Sequence, residues 1–309
     1  MRALTHLLID PFQVAYMRRA LLEAVLLGGL AGAVGVAVVL RRLAFYGEAL
    51  THTVFPGIVV AHLLDRSLFL GALAFGLLSA VLLTGLGTSR RVSADAGTAI
   101  LLTSFFAVGV ALVSRLRTYA ADLTAFLFGS LLTVDAVDIV QTAVVAAVVL
   151  LALGLAYKEL LLRAFDPVAA AAMGYRTALL DLLVNACVAL VVVAALKAVG
   201  TMLVLALLII PAAAARLVTG RVGSMLLASA AIGVLGGWTG LALSYRASID
   251  HDWRLGAGAT IVVVLVVAFL GCLAARPLAR GLRGLAAGGT GRGRRRRARS
   301  EPGAGATAA

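Results

Sequence analysis

Between residues 20 and 275 the chain passes nine times through stretches of about 20 almost wholly apolar residues. They lie at roughly 20–40, 43–64, 67–88, 96–114, 136–156, 178–196, 199–216, 223–244 and 256–275. As a helix, a run of that length matches the hydrocarbon thickness of a bilayer. Apolar residues make up 62% of the chain and charged residues only 13%, so no water-facing surface of matching size exists to cover such runs. Lipid offers no partners to backbone N–H and C=O groups, which leaves helices or a closed barrel as spanning structures. The runs are continuous and do not alternate with period two, so a barrel is excluded. The expected fold is an all-α polytopic membrane protein with about eight or nine transmembrane helices.

Charge then divides the chain. Residues 1–19 read as an N-terminal interfacial segment, because Asp10 and Pro11 interrupt MRALTHLLIDPFQVA too early for a signal peptide. Residues 20–276 form the transmembrane domain, and residues 277–309 a basic, disordered tail. The net charge of +13 is concentrated in that tail, where Arg292, Arg294, Arg295, Arg296, Arg297 and Arg299 face only Glu301. Such a block is drawn to anionic lipid headgroups and acts as a positive-inside anchor, a role preferred here over nucleic-acid binding. Placing Arg41/Arg42, Arg90/Arg91, Lys158/Arg163/Arg176, Arg216/Arg221 and the tail in the cytoplasm requires nine crossings and an external N-terminus. It also requires that 122–134 (DLTAFLFGSLLTV) does not cross, and it leaves Arg18, Arg19, Arg115 and Arg117 outside. An even number of crossings is the alternative. Cys187 and Cys272 fall in apolar segments without CxxC spacing and read as small packing residues.

The longest cytoplasmic connection, 159–181, contains FDPVAAAAMGY. Asp166 suits the cap of a short helix, Pro167 its first position and Gly174 its C-terminal turn. An Ala-rich helix of this kind has little to bury in lipid and is available to dock elsewhere. Pro56 and Pro211 are expected to interrupt one span in each half, since 211 − 56 = 155 is half of 309. Paired broken spans point to a substrate path.

The stretch GEALTHTVFPG, residues 47–57, sets Glu48 and His52 four residues apart inside an apolar run, with Pro56 four further on. On a helix the two side chains share a face, separated by roughly 6 Å of rise. A carboxylate within the membrane is costly unless it faces a cavity, a partner or a cation. Pro56 has no N–H to give the His52 carbonyl. Carboxylate, imidazole and freed carbonyl are ligand types that borderline divalent metals accept. Two other readings stand beside a metal path: an internal Glu48–His52 ion pair that only packs helices, and a proton relay. His62 lies roughly 80° off the His52 face and belongs nearer an outer mouth. Asp250, His251 and Asp252 in SIDHDW make either a solvated loop or an outer accessory metal-collecting site. Asp122, Asp138 and Asn185 are further candidate ligands, with structural roles the simpler reading.

In order along the chain stand RRLAFYGEALTHTVFPGIVVAHLL, LFGSLLTVDAVDIV, FDPVAAAAMGY and VGTMLVLALLIIPAAAARLVT. Together they resemble the membrane subunits of bacterial ABC transporters that import zinc, manganese or iron, from DPFQVAYMRRALLEAVLLGGLAGAVG to GATIVVVLVVAFL. The resemblance implies an ABC importer permease-like bundle, a homodimer, and a transported divalent ion (Zn2+, Mn2+ or Fe2+) with no permanent cofactor. It also implies two partners, a cytoplasmic ATP-binding subunit and an extracytoplasmic metal-binding protein. Glu48 and His52 then lie on the metal path, and residues 165–176 form the coupling helix against the ATPase. The family usually has Asp at the position of Glu48 and Ser-His-Ala where this chain has Thr51, His52 and Thr53, so metal preference stays open. ATP hydrolysis is expected elsewhere: Lys158 and Lys197 stand in YKE and LKA contexts, not in the Gly-Lys-Ser/Thr step that cradles phosphates. The rival readings are a permease for a metal chelate, a proton-coupled secondary carrier, and a non-transporting scaffold.

Overall fold

Without water to satisfy it, the backbone of each apolar run closes its hydrogen bonds on itself, and helices follow. The computed structural model describes residues 10–87, 93–114, 129, 131–250 and 255–275. After a 3-10 turn at Asp10–Gln13 come α1 (Ala15–Leu40), α2 (Ala44–Thr53), α3 (Phe55–Leu63), α4 (Leu68–Gly87) and α5 (Ala94–Val113). A 3-10 turn at Leu131–Thr133 precedes α6 (Ala136–Leu155), α7 (Tyr157–Phe165), α8 (Pro167–Ala172), α9 (Thr177–Val218) and α10 (Val222–Asp250). The last described helix is α11, Ala257–Ala275. Among the described residues there is no strand.

Seven of these helices are each long and apolar enough to cross a membrane. One of them, α9, is two passes. Asp181 meets the Arg41 guanidinium just past the end of α1, while Leu208 packs on Gly35, also in the second half of α1. In a straight helix Asp181 and Leu208 would stand about 40 Å apart, whereas Gly35 and Arg41 are separated by about 9 Å of rise. Lys197, between them in sequence, meets Asp138 in the first turn of α6 at 2.7 Å, at the other end of the bundle. The chain therefore reverses, and it does so at Gly200 (φ 71°, ψ 172°), a conformation essentially closed to residues with a Cβ. Helices α2 and α3, ten and nine residues long, are each too short to span and make one broken pass together. With both arms of α9 and the α2–α3 pair, the described residues make nine passes.

The reversal corrects the expected symmetry. Pro56 does mark a break, but Pro211 sits inside the uninterrupted second arm of α9. Its ring is buried and the arm is packed along α1, which holds the helix through the missing hydrogen bond. Two boundaries also move. Helix α1 begins at Ala15, five residues before the expected span, because Met17 and Ala20 are already buried. Helix α10 continues to Asp250, and Ser244 Oγ donates to the Leu255 carbonyl at 2.9 Å near its end. Of segment 122–134, residues 129 and 131–134 are described, and the Arg-rich tail lies outside the described residues.

Small residues hold the centre. A Cβ on Gly28 would come within 2.6 Å of the Gly233 carbonyl oxygen, and one on Gly32 within 2.7 Å of that of Ser229. Backbones of α1 and α10 thus meet directly, and Ser229 Oγ donates to the Gly32 carbonyl at 2.6 Å. Such small-residue contacts bring membrane helices together where lipid supplies no hydrophobic drive. At one end, called here the Arg41 end, Arg41 and Arg163 share Asp181, the latter at 2.9 Å. That end also carries α7 and α8.

Candidate ion path and coupling surface

Glu48, His52 and Pro56 lie on the broken pass. Helix α2 stops at Thr53, and Pro56 opens α3 with no hydrogen for the His52 carbonyl. The next amide, Gly57, closes a tighter turn on the Val54 carbonyl at 3.0 Å. Thr51 Oγ1 donates to the Glu48 carbonyl at 2.7 Å. The ring of His52 stands edge-on to Phe106 of α5, centroids 5.5 Å apart at 83°. Phe106 in turn tilts on the buried Phe55 at 5.9 Å. Small residues clamp the other side, where Gly57 packs on Gly71 of α4.

The orientation of this pass is informative. Phe45 and Glu48 are exposed and His52 half-buried, so one face of α2 (positions i, i+3, i+7) looks out of the single chain's bundle. Among the described residues no ion pair joins Glu48 to His52. No group of three or more His, Cys, Asp or Glu side chains gathers among the described residues. Among the described residues, Glu48 and His52 are the ionisable side chains on this face. His62 is exposed in the last turn of α3, on the far side of the break from His52. The side chain of Asp250, with His251 and Asp252, lies outside the described residues, as does Asp122.

Two other candidate ligands bond to side chains of neighbouring helices. Asp138 accepts from Lys197 Nζ and, at 3.2 Å, from the Asp135 amide. Asn185 donates to Thr84 Oγ1 at 2.8 Å. Asp138 is thus engaged by the fold, while Asn185 Oδ1 is buried with no hydrogen-bond partner among the described residues. Glu23 was not anticipated: it is fully buried in α1, and one of its oxygens accepts from Thr142 Oγ1 at 2.7 Å, the other having no partner among the described residues. The signal was present, since Glu23 is the one ionisable residue in the run 20–40, and a charge there calls for an explanation.

The connection FDPVAAAAMGY folds as its residues dictate. Asp166 Oδ1 accepts from the amides of Val168 and Ala169 at 3.1 and 2.9 Å, and Pro167 fills the first position of α8. Gly174 closes the turn at φ 83°, and the Tyr175 amide bonds the Ala170 carbonyl at 3.2 Å. The result is a rigid turn presenting Phe165, Val168 and Met173, at 66%, 77% and 67% exposure, at the Arg41 end.

A nine-pass helical bundle with a broken, charge-bearing pass and an apolar knob at one end defines a multi-pass membrane transport protein. The chain belongs to the ABC 3 transport family, whose family model matches residues 13–276. It is 36% identical over 258 residues to a manganese import system permease protein of Streptococcus parasanguinis, covering 84% of this chain and 90% of that one. To a manganese transport system membrane protein of Halalkalibacterium halodurans it is 37% identical over 255 residues, covering 82% and 85%. Among solved structures it resembles PsaBC from Streptococcus pneumoniae in complex with Fab, with a TM-score of 0.76 at 33% identity, covering 88% of this chain and 95% of that one.

Proposed function

We propose that this chain is the channel-forming permease subunit of an ATP-driven importer and that Mn2+ is its cargo. The observation that carries the reading is the outward face of the broken pass, which bears Glu48 and His52 with no ion pair to either among the described residues. An ionised carboxylate turned toward hydrocarbon costs several kcal/mol, so this face is covered by a second copy and lines a hydrated path between them. Carboxylate oxygen and imidazole nitrogen suit a divalent first-row ion, and the relatives named for manganese favour Mn2+. Two donors from each copy hold an ion weakly enough for it to leave, which transport requires.

Residues 165–176 are the surface through which a separate cytoplasmic ATP-binding subunit drives the cycle, with Phe165, Val168 and Met173 as the docking contacts. The Arg41 end and the C-terminal tail are then cytoplasmic. An extracytoplasmic metal-binding protein delivers the ion at the opposite end, in a bacterial cell membrane. The test is uptake into proteoliposomes holding this chain, the ATPase and the binding protein, offered Mn2+, Zn2+ and Fe2+ in turn. ATP-dependent Mn2+ uptake that disappears in folded Glu48→Gln and His52→Ala variants supports the reading. Uptake unchanged by both substitutions sinks it.

A further inference from the structure

We propose that the cavity at the Arg41 end of the bundle binds the acyl chain of an anionic phospholipid, at a site separate from the ion path. The cavity holds about 200 Å³. Five helices wall it, through Val36 and Leu40 of α1, Leu153 of α6, Leu160 of α7, Val184 of α9 and Leu226 of α10. Arg41 is the one charged residue on its lining. An apolar hollow gives water no hydrogen-bond partners and stays dry, while bilayer hydrocarbon is at hand to fill it.

The mouth opens toward lipid. Two lining residues, Leu150 and Tyr157, are 47% and 38% exposed. They adjoin the outward stripe of α6, where Val140, Val144, Val148, Leu151 and Leu155 are all exposed and no charge interrupts. This is a hydrocarbon-facing surface, unlike the face of α2 that carries Glu48. The opening lies along α6, which packs on α1 and α9, whereas His52 stands beside α5, which packs on α2, α3 and α4.

The depth and charge of the site select the headgroup. The cavity lies at the last turn of α1, where hydrocarbon gives way to the polar layer. Helix α7, which closes it, places Lys158, Glu159 and Arg163 around Leu160, Leu161 and Leu162, as an interfacial helix does. Arg42, Lys158 and Arg221 are exposed, and each adjoins a wall residue in sequence. None of the three pairs with an acid among the described residues. Arg41 and Arg163 share the carboxylate of Asp181, and with Arg42, Lys158 and Arg221 these basic residues outnumber Asp181 and Glu159 at this end. Basic residues at this depth attract anionic over zwitterionic headgroups.

Native mass spectrometry of the full permease–ATPase complex tests the proposal, after purification from membranes containing both phosphatidylglycerol and phosphatidylethanolamine. Wild type is expected to retain phosphatidylglycerol preferentially. A Cβ added at Gly154, an exposed residue on the cavity lining, meets no atom within 4 Å, so Gly154→Leu adds bulk at the rim of the hollow without moving backbone. That variant is expected to melt like wild type and to lose the bound lipid. The triple variant Arg42→Asn, Lys158→Gln, Arg221→Gln is expected to lose about tenfold or more of its preference for phosphatidylglycerol. Absence of retained phospholipid in wild type, equal retention in Gly154→Leu, or an undiminished preference in the triple variant overturns the proposal.

Discussion

Two glutamates sit within membrane-spanning helices, and the fold treats them in opposite ways. Glu23 is fully buried between α1 and α6, bonded to Thr142, with the Asp138–Lys197 pair one turn along α6. Glu48 is exposed on α2, beside a half-buried His52, and has no ion-pair partner among the described residues. Helix packing explains the first arrangement, because a buried polar side chain must find a hydrogen bond and in doing so locks two helices together. Packing does not explain the second. Under the function proposed above, this carboxylate meets a second copy or the transported ion.

If that contrast is right, substitutions at the two sites should separate transport from stability. The largest effect is expected at Glu48→Gln and His52→Ala: ATP-dependent Mn2+ uptake falls to background, while stability stays within about 0.5 kcal/mol of wild type for the exposed Glu48 and falls by about 1 kcal/mol for His52, whose ring packs on Phe106. A parallel loss of stability and uptake would erase the distinction. Next in size, Glu23→Ala is expected to cost about 2–3 kcal/mol, since it opens a cavity and strands Thr142. Chemical denaturation in detergent reads the loss, and uptake per folded molecule should be unchanged. Asp166→Ala removes the cap of α8, worth about 1 kcal/mol to that turn, and is expected to lower metal-stimulated ATPase activity severalfold while leaving Mn2+ binding by the permease intact. The smallest effect belongs to Lys197→Ala. The lysine side chain is 71% exposed, and such ion pairs contribute about 1 kcal/mol or less, so its melting shift should be smaller than that of Glu23→Ala, with uptake unchanged.

Much of the architecture was legible in the chain. Nine apolar runs appear as nine passes because run length and bilayer thickness leave a helix little choice. The turn of Asp166, Pro167 and Gly174 formed as read, because capping depends on neighbours two to four residues away. The break at Pro56 was legible for the same reason. Pro211 was misread as a second break because its effect depends on context. Packed along α1, the second arm of α9 keeps its helix through the proline, whereas the reversal falls at Gly200, where Gly129 lies against the backbone of Val199 and Gly200. Glu23 was visible as a charge in an apolar run, but its partner is 119 positions away.

The sequence by itself determined the medium, the helices, their number and the local chemistry of each, because hydropathy, capping and proline effects act within a few residues. Only the tertiary structure decided which charges are consumed and which remain available. It turned Glu23 and Asp138 inward to Thr142 and Lys197, and it turned Glu48 out. Those outcomes depend on which helix faces meet, a matter settled by contacts such as Gly28 on Gly233 between residues far apart in the chain.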